Sequence, residues 1–198
     1  GIGNGALSTI TNHYDNVAVG TSAMGSATAS QCVAVGHAAL SNTTANNNTG
    51  LGHRALTANT SGTLNTAVGA FALDANTTAD EHTAIGYQAL SSNTTGIQHT
   101  AVGSYCLAST TTAQYNTGVG RNCMANTTTG GQNTAVGRGA MYPNETGSGN
   151  SVLGYGAMGG STASSNNVAI GHSALGHGSL NGNFNTCVGW RAGNAITS

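Results

Sequence analysis

Charge is the scarcest property of this 198-residue chain. Charged residues make up 5% of it, against about 25% in a typical soluble domain. Lysine is absent, and the few charged residues give a net charge of −1. A nucleic-acid-binding protein needs a basic surface for the phosphate backbone, so this class is excluded. Disordered chains combine few apolar residues with high net charge, and the near neutrality of this chain argues against disorder.

Proline, aromatic residues and long apolar runs are also scarce. Pro143 is the single proline, and the 31 glycines do not recur at every third position, which excludes collagen. No apolar run approaches the roughly 18–20 residues that a membrane-spanning helix needs. A chain with so few large apolar side chains can bury its surface only by repeating a small unit.

A repeat of 16–18 residues runs through the whole chain. Its anchor is a glycine that follows an aliphatic residue, as in Ala-Val-Gly, and it occurs twelve times. The anchors are Gly3, Gly20, Gly36, Gly52, Gly69, Gly86, Gly103, Gly120, Gly137, Gly154, Gly171 and Gly189. Val, Ile or Leu precedes each anchor, and Ala or Cys follows three residues later. Leu or Met comes one residue after that in every unit except the last, which has Gly193. Asn lies four residues before most anchors, and the rest of each unit consists of turn formers.

The repeat predicts an all-β fold: a parallel β-solenoid, or β-roll, of about twelve coils that forms a single repeat domain over residues 1–198. Each coil is expected to contain one short strand, such as Asn-Thr-Ala-Val-Gly, and a second short segment at Ala-Leu. Stacked coils are about 4.8 Å apart. Two aliphatic ladders and one amide ladder are expected inside the coil. Their representatives are Val68, Ile85 and Val102, then Leu73, Leu90 and Leu107, and then Asn65, Asn116 and Asn133.

Two aliphatic side chains per coil make a thin core. Burying a Val or Leu contributes about 1.5–3 kcal/mol, whereas ordering each backbone residue costs about 1–2 kcal/mol. We therefore expect self-association, most simply a homotrimer in which the face of small Ala and Gly residues packs on other copies.

The four cysteines occupy small-residue or Asn slots of the repeat, so they are interpreted as buried small residues. A disulfide between Cys106 and Cys123, which share a column in adjacent coils, is the less favoured alternative. His82 and His99 replace the ladder Asn, which favours a hydrogen-bonding role over metal binding. A metal held by these histidines from three chains on a trimer axis is a minor alternative. No cofactor is expected.

The segment Asn167 to Ala174, with the sequence NVAIGHSA, resembles the head repeat of trimeric autotransporter adhesins. The longer unit over residues 83–96, TAIGYQALSSNTTG, is similar to repeats in phage tail fibres and related virion spikes. The resemblance covers nearly the whole chain and implies a homotrimeric fibre, displayed on a virion or a cell surface, that binds a protein or glycan of a host cell. It transfers no catalytic residues.

Variable columns just after the anchor hold most of the aromatic and basic residues. Such exposed side chains suit contacts with sugars or proteins. The receptor-contact candidates are Phe71, Tyr87, Tyr105, Arg121, Arg138, Tyr155 and Trp190. Because no acid pair suited to glycoside hydrolysis is evident, we do not expect an enzyme, and we expect neither nucleic-acid binding nor membrane insertion.

Two other functions stay open from the sequence. A regular Thr column, which includes Thr66, Thr83 and Thr100, is a feature of ice-binding β-solenoids, although a flat array of two Thr columns would be expected there. A purely structural stalk is the other alternative. Neither terminal coil carries an evident cap, so we expect this domain to be a segment of a longer fibre.

Overall fold

The computed structural model describes residues 1–176 and 182–194, and its regular secondary structure consists of eleven three-residue strands. The strands are β1 (Val17–Val19), β2 (Val33–Val35), β3 (Thr49–Leu51), β4 (Thr66–Val68), β5 (Thr83–Ile85), β6 (Thr100–Val102), β7 (Thr117–Val119), β8 (Thr134–Val136), β9 (Ser151–Leu153), β10 (Val168–Ile170) and β11 (Thr186–Val188). Within the described ranges, no helix is long and apolar enough to cross a membrane.

All eleven strands form one parallel sheet in sequence order, so each coil adds one strand beside the previous one. The pairing follows the repeat slot by slot: Ala67 pairs with Ala84, and Val68 with Ile85. The same register holds where the spacing is 16 or 18 residues, as between β1 and β2 or β10 and β11. An isolated bridge from Ile2 to Val19 extends the stack into the first, incomplete unit. The prediction of an all-β parallel solenoid is confirmed.

The alternation of side chains along each strand corrects one part of the predicted core. The middle residue of the strand points inward, and Ala67, Ala84 and Ala101 are fully buried. The residues on either side point outward, because successive strand side chains lie on opposite faces. Val68 and Val102 are therefore only half-buried and Ile85 is 40% exposed. The expectation that Val68, Ile85 and Val102 form an interior ladder is wrong.

The interior is instead filled by the turn that follows the anchor. Leu73, Leu90 and Leu107 are fully buried, which confirms the second aliphatic ladder. The Ala or Cys that precedes each of them is buried as well, as at Ala72 and Cys106. Because these small residues lie inside the coil, the expectation that an Ala-rich face packs on other copies is also wrong.

The second short segment, at Ala-Leu, is a turn. The Leu or Met slot has a φ between 49° and 57° in every coil from Leu7 to Leu175. Two further slots per coil, two residues after and five residues before the anchor, also have positive φ. None of the 30 non-glycine residues with positive φ is Val, Ile or Thr, in keeping with the steric conflict of β-branched side chains in this region.

The anchor glycines form a column that no other residue can occupy. Their φ values lie between 126° and 143°, a region that is almost restricted to glycine. A Cβ built on Gly103 would also lie 2.5 Å from the carbonyl oxygen of Gly120 in the next coil. The column therefore sets both the path of the chain and the close approach of consecutive coils.

The predicted Asn ladder lies inside the coil and is confirmed by its hydrogen bonds. The backbone N–H of Asn133 donates to Oδ1 of Asn116 at 2.9 Å, and that of Asn150 donates to Oδ1 of Asn133 at 2.9 Å. The amide of Asn116 donates to the carbonyl of Gly130 at 2.8 Å, and Asn65 in the same column donates to that of Ala79. The ladder thus satisfies buried backbone groups that the short strands leave unpaired.

Candidate functional site

The exposed side chains just after the anchors form a continuous aromatic stripe over five consecutive coils. We define the aromatic stripe as His37, His53, Phe71, Tyr87 and Tyr105. Consecutive ring centroids are 5.0 to 6.1 Å apart, with one stacked pair and three edge-to-face pairs. The stripe gathers the predicted candidates Phe71, Tyr87 and Tyr105, and it adds two histidines that were not candidates.

Tyr87 and Tyr105 are both exposed, at 43% and 37%. Tyr105 beside it raises the pKa of the Tyr87 phenol, so the Tyr87 ring is neutral near pH 7. The two rings offer apolar edges together with hydroxyl groups, a combination suited to protein or sugar contacts. Phe71 is half-buried between its neighbours. It therefore packs against the other rings of the stripe and offers less surface to a partner than they do.

A second group of side chains lies two to four coils beyond Tyr105, the last residue of the stripe. Arg138 donates from Nη1 to the Tyr155 hydroxyl at 2.8 Å, and its guanidinium carbon lies 5.4 Å from the centroid of that ring. Tyr155 in turn stacks on His172 at 5.0 Å. Arg138 and Tyr155 are therefore brought together. Trp190 lies apart from them, with the guanidinium carbon of Arg191 5.0 Å from the centroid of its ring.

Two adjoining cavities separate the stripe from this second group. The first has a volume of about 350 Å³ and lies between Arg138, Tyr142 and Tyr155. The second, of about 340 Å³, lies between Tyr105, Arg121 and Tyr142. They share Asn122 and Tyr142, and we call the two together the groove. Each volume is within the range of about 300–1,000 Å³ that is usual for ligand pockets.

The first cavity of the groove exists because bulky side chains are missing from its floor. The slot two residues after the anchor holds Gln88 and Tyr105 in earlier coils but Gly139 and Gly156 here. A Cβ on Gly139 would meet nothing within 4 Å. Neither these glycines nor Tyr142 was a sequence candidate. Two sequence signals could have found them. Glycine occupies the slot two residues after the anchor in two adjacent coils, and Tyr142 lies in a slot that holds mostly small residues in the other coils.

The outward side of the sheet is a second exposed surface, and its strand residues carry no charge. We define the sheet face as the first and third residues of β1 to β11. The first position is Thr, Val or Ser, and the third is Val, Ile or Leu throughout. Several aliphatic side chains on it are well exposed, including Leu51 at 43%, Leu153 at 50% and Val188 at 65%.

His82 and His99 lie inside the coil, stacked at 5.3 Å, and are almost fully buried. The backbone N–H of Asn116 donates to Nδ1 of His99 at 3.1 Å, and Nε2 of His99 donates to the carbonyl of Ala113 at 2.8 Å. Nδ1 of His82 likewise accepts from the backbone N–H of His99 at 3.1 Å. Both rings thus replace Asn in the ladder, as predicted.

Burial disfavours the charged form of both rings and lowers the pKa of His82 to about 3, with a further contribution from neighbouring His99. Burial likewise lowers the pKa of His99 to about 4. This interior position contradicts the minor hypothesis of a metal bound by these histidines on an axis between three chains. Residues 1–176 and 182–194 contain no group of three or more His, Cys, Asp or Glu side chains that could hold a metal ion.

All four cysteines are buried and free, which confirms their interpretation as small interior residues and contradicts the alternative of a Cys106–Cys123 disulfide. The neighbouring Cys123 thiol and burial raise the pKa of Cys106, so it is held as an unreactive thiol.

The adjacent acids Asp80 and Glu81 serve the turn: Asp80 accepts from the backbone N–H of Thr63 at 2.6 Å, and Glu81 accepts from the Gln98 amide at 2.6 Å.

Exposed aromatic and guanidinium groups line the stripe and the groove, and β-branched groups cover the sheet face. Comparisons of the chain with family models, curated proteins and solved structures found no match.

Proposed function

We propose that this chain is a structural and host-attachment segment of a homotrimeric fibre on the surface of a virion, such as a phage tail fibre, and that it has no enzymatic activity. The observation that carries the proposal is the sheet face. An aliphatic side chain points outward in every strand, and no charged residue interrupts it from β1 to β11. The repeat's resemblance to tail-fibre and adhesin repeats supports the same conclusion.

The size of the sheet face supports self-association. Eleven strands about 4.8 Å apart and three residues wide give a flat area of roughly 500 Å². The largest apolar patch on a typical monomer covers about 300–600 Å² and is often functional. A second and third copy of the chain fit it well, because every copy carries the same flat, uncharged surface. Association at this face would also leave the aromatic stripe and the groove to face outward as attachment surfaces.

Electron microscopy with a gold-labelled antibody against this domain tests where the fibre is displayed. Label on fibres that project from virions supports the proposal. Label on the envelope of a bacterial cell would overturn the virion assignment in favour of the runner-up, the head domain of a trimeric autotransporter adhesin. The antibody must recognise the folded domain, so its binding is first checked on the purified chain.

Attachment is tested with a variant that removes two rings of the stripe. Tyr87→Ala combined with Tyr105→Ala is expected to lower binding of the fluorescent domain to host cells several-fold, with little change in thermal midpoint because both rings are exposed. Tyr14→Ala is a matched control, since Tyr14 is 63% exposed and lies outside the stripe. Attachment that is equal in all three proteins would contradict a role for the stripe.

Ice binding is the second candidate, and one observation favours it. The Thr column points outward on the flat sheet face, where the column beside it is Val, Ile or Leu rather than a second column of Thr. Both functions use the sheet face. Ice binding needs it exposed on a soluble monomer, whereas the fibre needs it buried between copies of the chain. A soluble monomer with thermal hysteresis that is lost in Thr83→Lys would support ice binding and overturn the fibre proposal, whereas a trimer without hysteresis supports the fibre.

A further inference from the structure

The groove combines aromatic walls, guanidinium groups and an open floor in one place. Tyr142 stands between the two cavities and is 43% exposed. Tyr155 forms the far wall and is 49% exposed. Rings that present a face to a cleft can stack on the apolar face of a sugar ring while their hydroxyls bind its polar edge.

The charge of the groove has one sign. Arg138 lines the first cavity and Arg121 lines the second, and no Asp or Glu lines either one. The two arginines occupy the same column in adjacent coils, where stacked like charges are unfavourable without an anion between or beside them. Guanidinium groups bind carboxylates through paired hydrogen bonds. The ligand that complements this groove is therefore anionic.

The far wall is already rigid before any ligand binds. The hydrogen bond from Arg138 to Tyr155, at 2.8 Å, and the stacking of Tyr155 on His172, at 5.0 Å, hold these side chains together. A preorganised site loses less side-chain entropy when the ligand binds. The glycine floor at Gly139, Gly156 and Gly159 leaves space for the ligand against the backbone.

The geometry points to a binding site for an acidic oligosaccharide in the groove: a carboxylate-bearing sugar ring stacks on Tyr142, the polar edge of the sugar chain contacts the exposed edge of Tyr155, and the carboxylates pair with Arg121 and Arg138. The groove runs across about four coils, from Tyr105 to Ser173, or about 19 Å along the stack. This length suits a chain of several sugar rings. The inference rests on the proposed function in one respect, since it names the receptor chemistry for host attachment.

Calorimetric titration of the assembled protein with tetragalacturonate tests the site directly. Binding is expected, with maltotetraose at least about tenfold weaker because it lacks carboxylates, and with affinity falling as salt is raised. A short polyglutamate peptide carries carboxylates without sugar rings and is also expected to bind at least about tenfold more weakly. Equal binding of maltotetraose or polyglutamate, or no binding of tetragalacturonate, would overturn the inference.

Three variants locate the binding within the groove. Gly156→Gln places a side chain on the floor without a new backbone conformation, because Gln88 holds the same slot at a φ of 53° and Gly156 has a φ of 57°. Tyr142→Ala removes the central ring, and Arg121→Gln with Arg138→Gln removes the charges. Each is expected to weaken tetragalacturonate binding at least about fivefold.

Tyr14→Ala and Arg54→Gln are the matched controls, since both residues are exposed and neither lines the groove. Their binding is expected to equal that of the parent protein. If groove variants with a native thermal midpoint bind tetragalacturonate as tightly as the controls, the inference fails. Should the Tyr87 and Tyr105 variant still reduce attachment in that case, the proposed fibre function stands while the groove is excluded as the receptor site.

Discussion

The Leu or Met four residues after each anchor combines two demands that few side chains meet. It must fill the interior, as Leu73, Leu90 and Met124 do with no exposed surface. It must also adopt a φ near +50°, which costs an L-residue about 1–2 kcal/mol and is worse for a β-branched one. Long side chains without a branch at Cβ, such as Leu and Met, satisfy both conditions, whereas the β-branched Val, Ile and Thr do not.

Leu90→Val is therefore expected to be much more destabilising than Leu90→Met. The Val variant loses buried volume and adds strain at a φ of 52°, which together amount to about 2–4 kcal/mol of the free energy of unfolding. The Met variant keeps its volume and unbranched Cβ and is expected to cost less than about 1.5 kcal/mol. Urea unfolding followed by circular dichroism measures both, and equal midpoints for Val and Met would contradict the constraint.

The two kinds of glycine give a second contrast at the same scale. Gly103→Ala would place Cβ 2.5 Å from the carbonyl oxygen of Gly120, at a φ of 138°. Gly139→Ala adds a methyl group to open space at a φ of 62°, in a slot where Ala38 already has a φ of 54°. We expect a loss of at least about 3 kcal/mol for Gly103→Ala and about 1 kcal/mol for Gly139→Ala, measured by the same unfolding curves. Similar losses at both sites would contradict the role given to the anchor column.

At the scale of the elements, the side-chain ladder compensates for strands of only three residues. In the ladder, the buried backbone N–H of one residue donates to the Asn side chain of the previous coil. His82 and His99 take the place of Asn in the same pattern of hydrogen bonds. Each ring must be neutral to accept a hydrogen bond at Nδ1. The ladder therefore links the stability of the stack to the protonation of two residues.

Lowering the pH is expected to destabilise the fold through these two histidines. Their folded pKa values of about 3 and about 4 lie below the ordinary value of 6.5. The unfolded chain thus binds more protons between about pH 6.5 and pH 4, and the free energy of unfolding falls as the pH falls through that window. By pH 4 the loss is on the order of 3 kcal/mol for each of the two histidines.

The thermal midpoint, measured from pH 7 to pH 4, tests this linkage. The variant His82→Asn with His99→Asn restores the ordinary ladder residue and is expected to show a much flatter dependence. The exposed His37 and His53 offer a control pair, since replacing them with Asn should leave the acid sensitivity unchanged. An equal loss of midpoint in the ladder variant and the parent protein would contradict the account.

The sequence predicted the period, the parallel coil, and the Leu and Asn ladders, because each needs one residue type at a fixed spacing. It did not predict which side of the strand faces inward. A three-residue strand such as Thr66-Ala67-Val68 allows either orientation, and burial of Val68 is the more usual choice. The structure places Ala67 inside because Leu73, from the turn, already occupies the interior.

The candidate site was only partly predictable for a related reason. Exposed aromatic and basic residues in variable columns pointed to Tyr105, Arg121, Arg138 and Tyr155, which line the groove. The first cavity arises from the absence of side chains at Gly139 and Gly156. A missing side chain becomes informative only when the neighbouring coils are known to be stacked above and below it.

At the scale of the whole molecule, the solenoid presents two long surfaces of different chemistry. The sheet face is flat, uncharged and rich in β-branched side chains, and it suits contact with an identical surface. The stripe and the groove carry aromatic rings and guanidinium groups, and they suit contact with a receptor. The low charge of the chain fits this arrangement, since a stacked column places like charges about 4.8 Å apart.

The most direct test of the fibre account is the mass of the isolated chain in solution, measured by sedimentation equilibrium. We predict a three-chain mass. Ile85→Glu with Val102→Glu, which places two carboxylates on the sheet face, is expected to give a single-chain mass, whereas Ser92→Glu, exposed in the same coil as Ile85 but outside the sheet face, should keep the three-chain mass. A parent protein that sediments as a stable single chain would contradict the account.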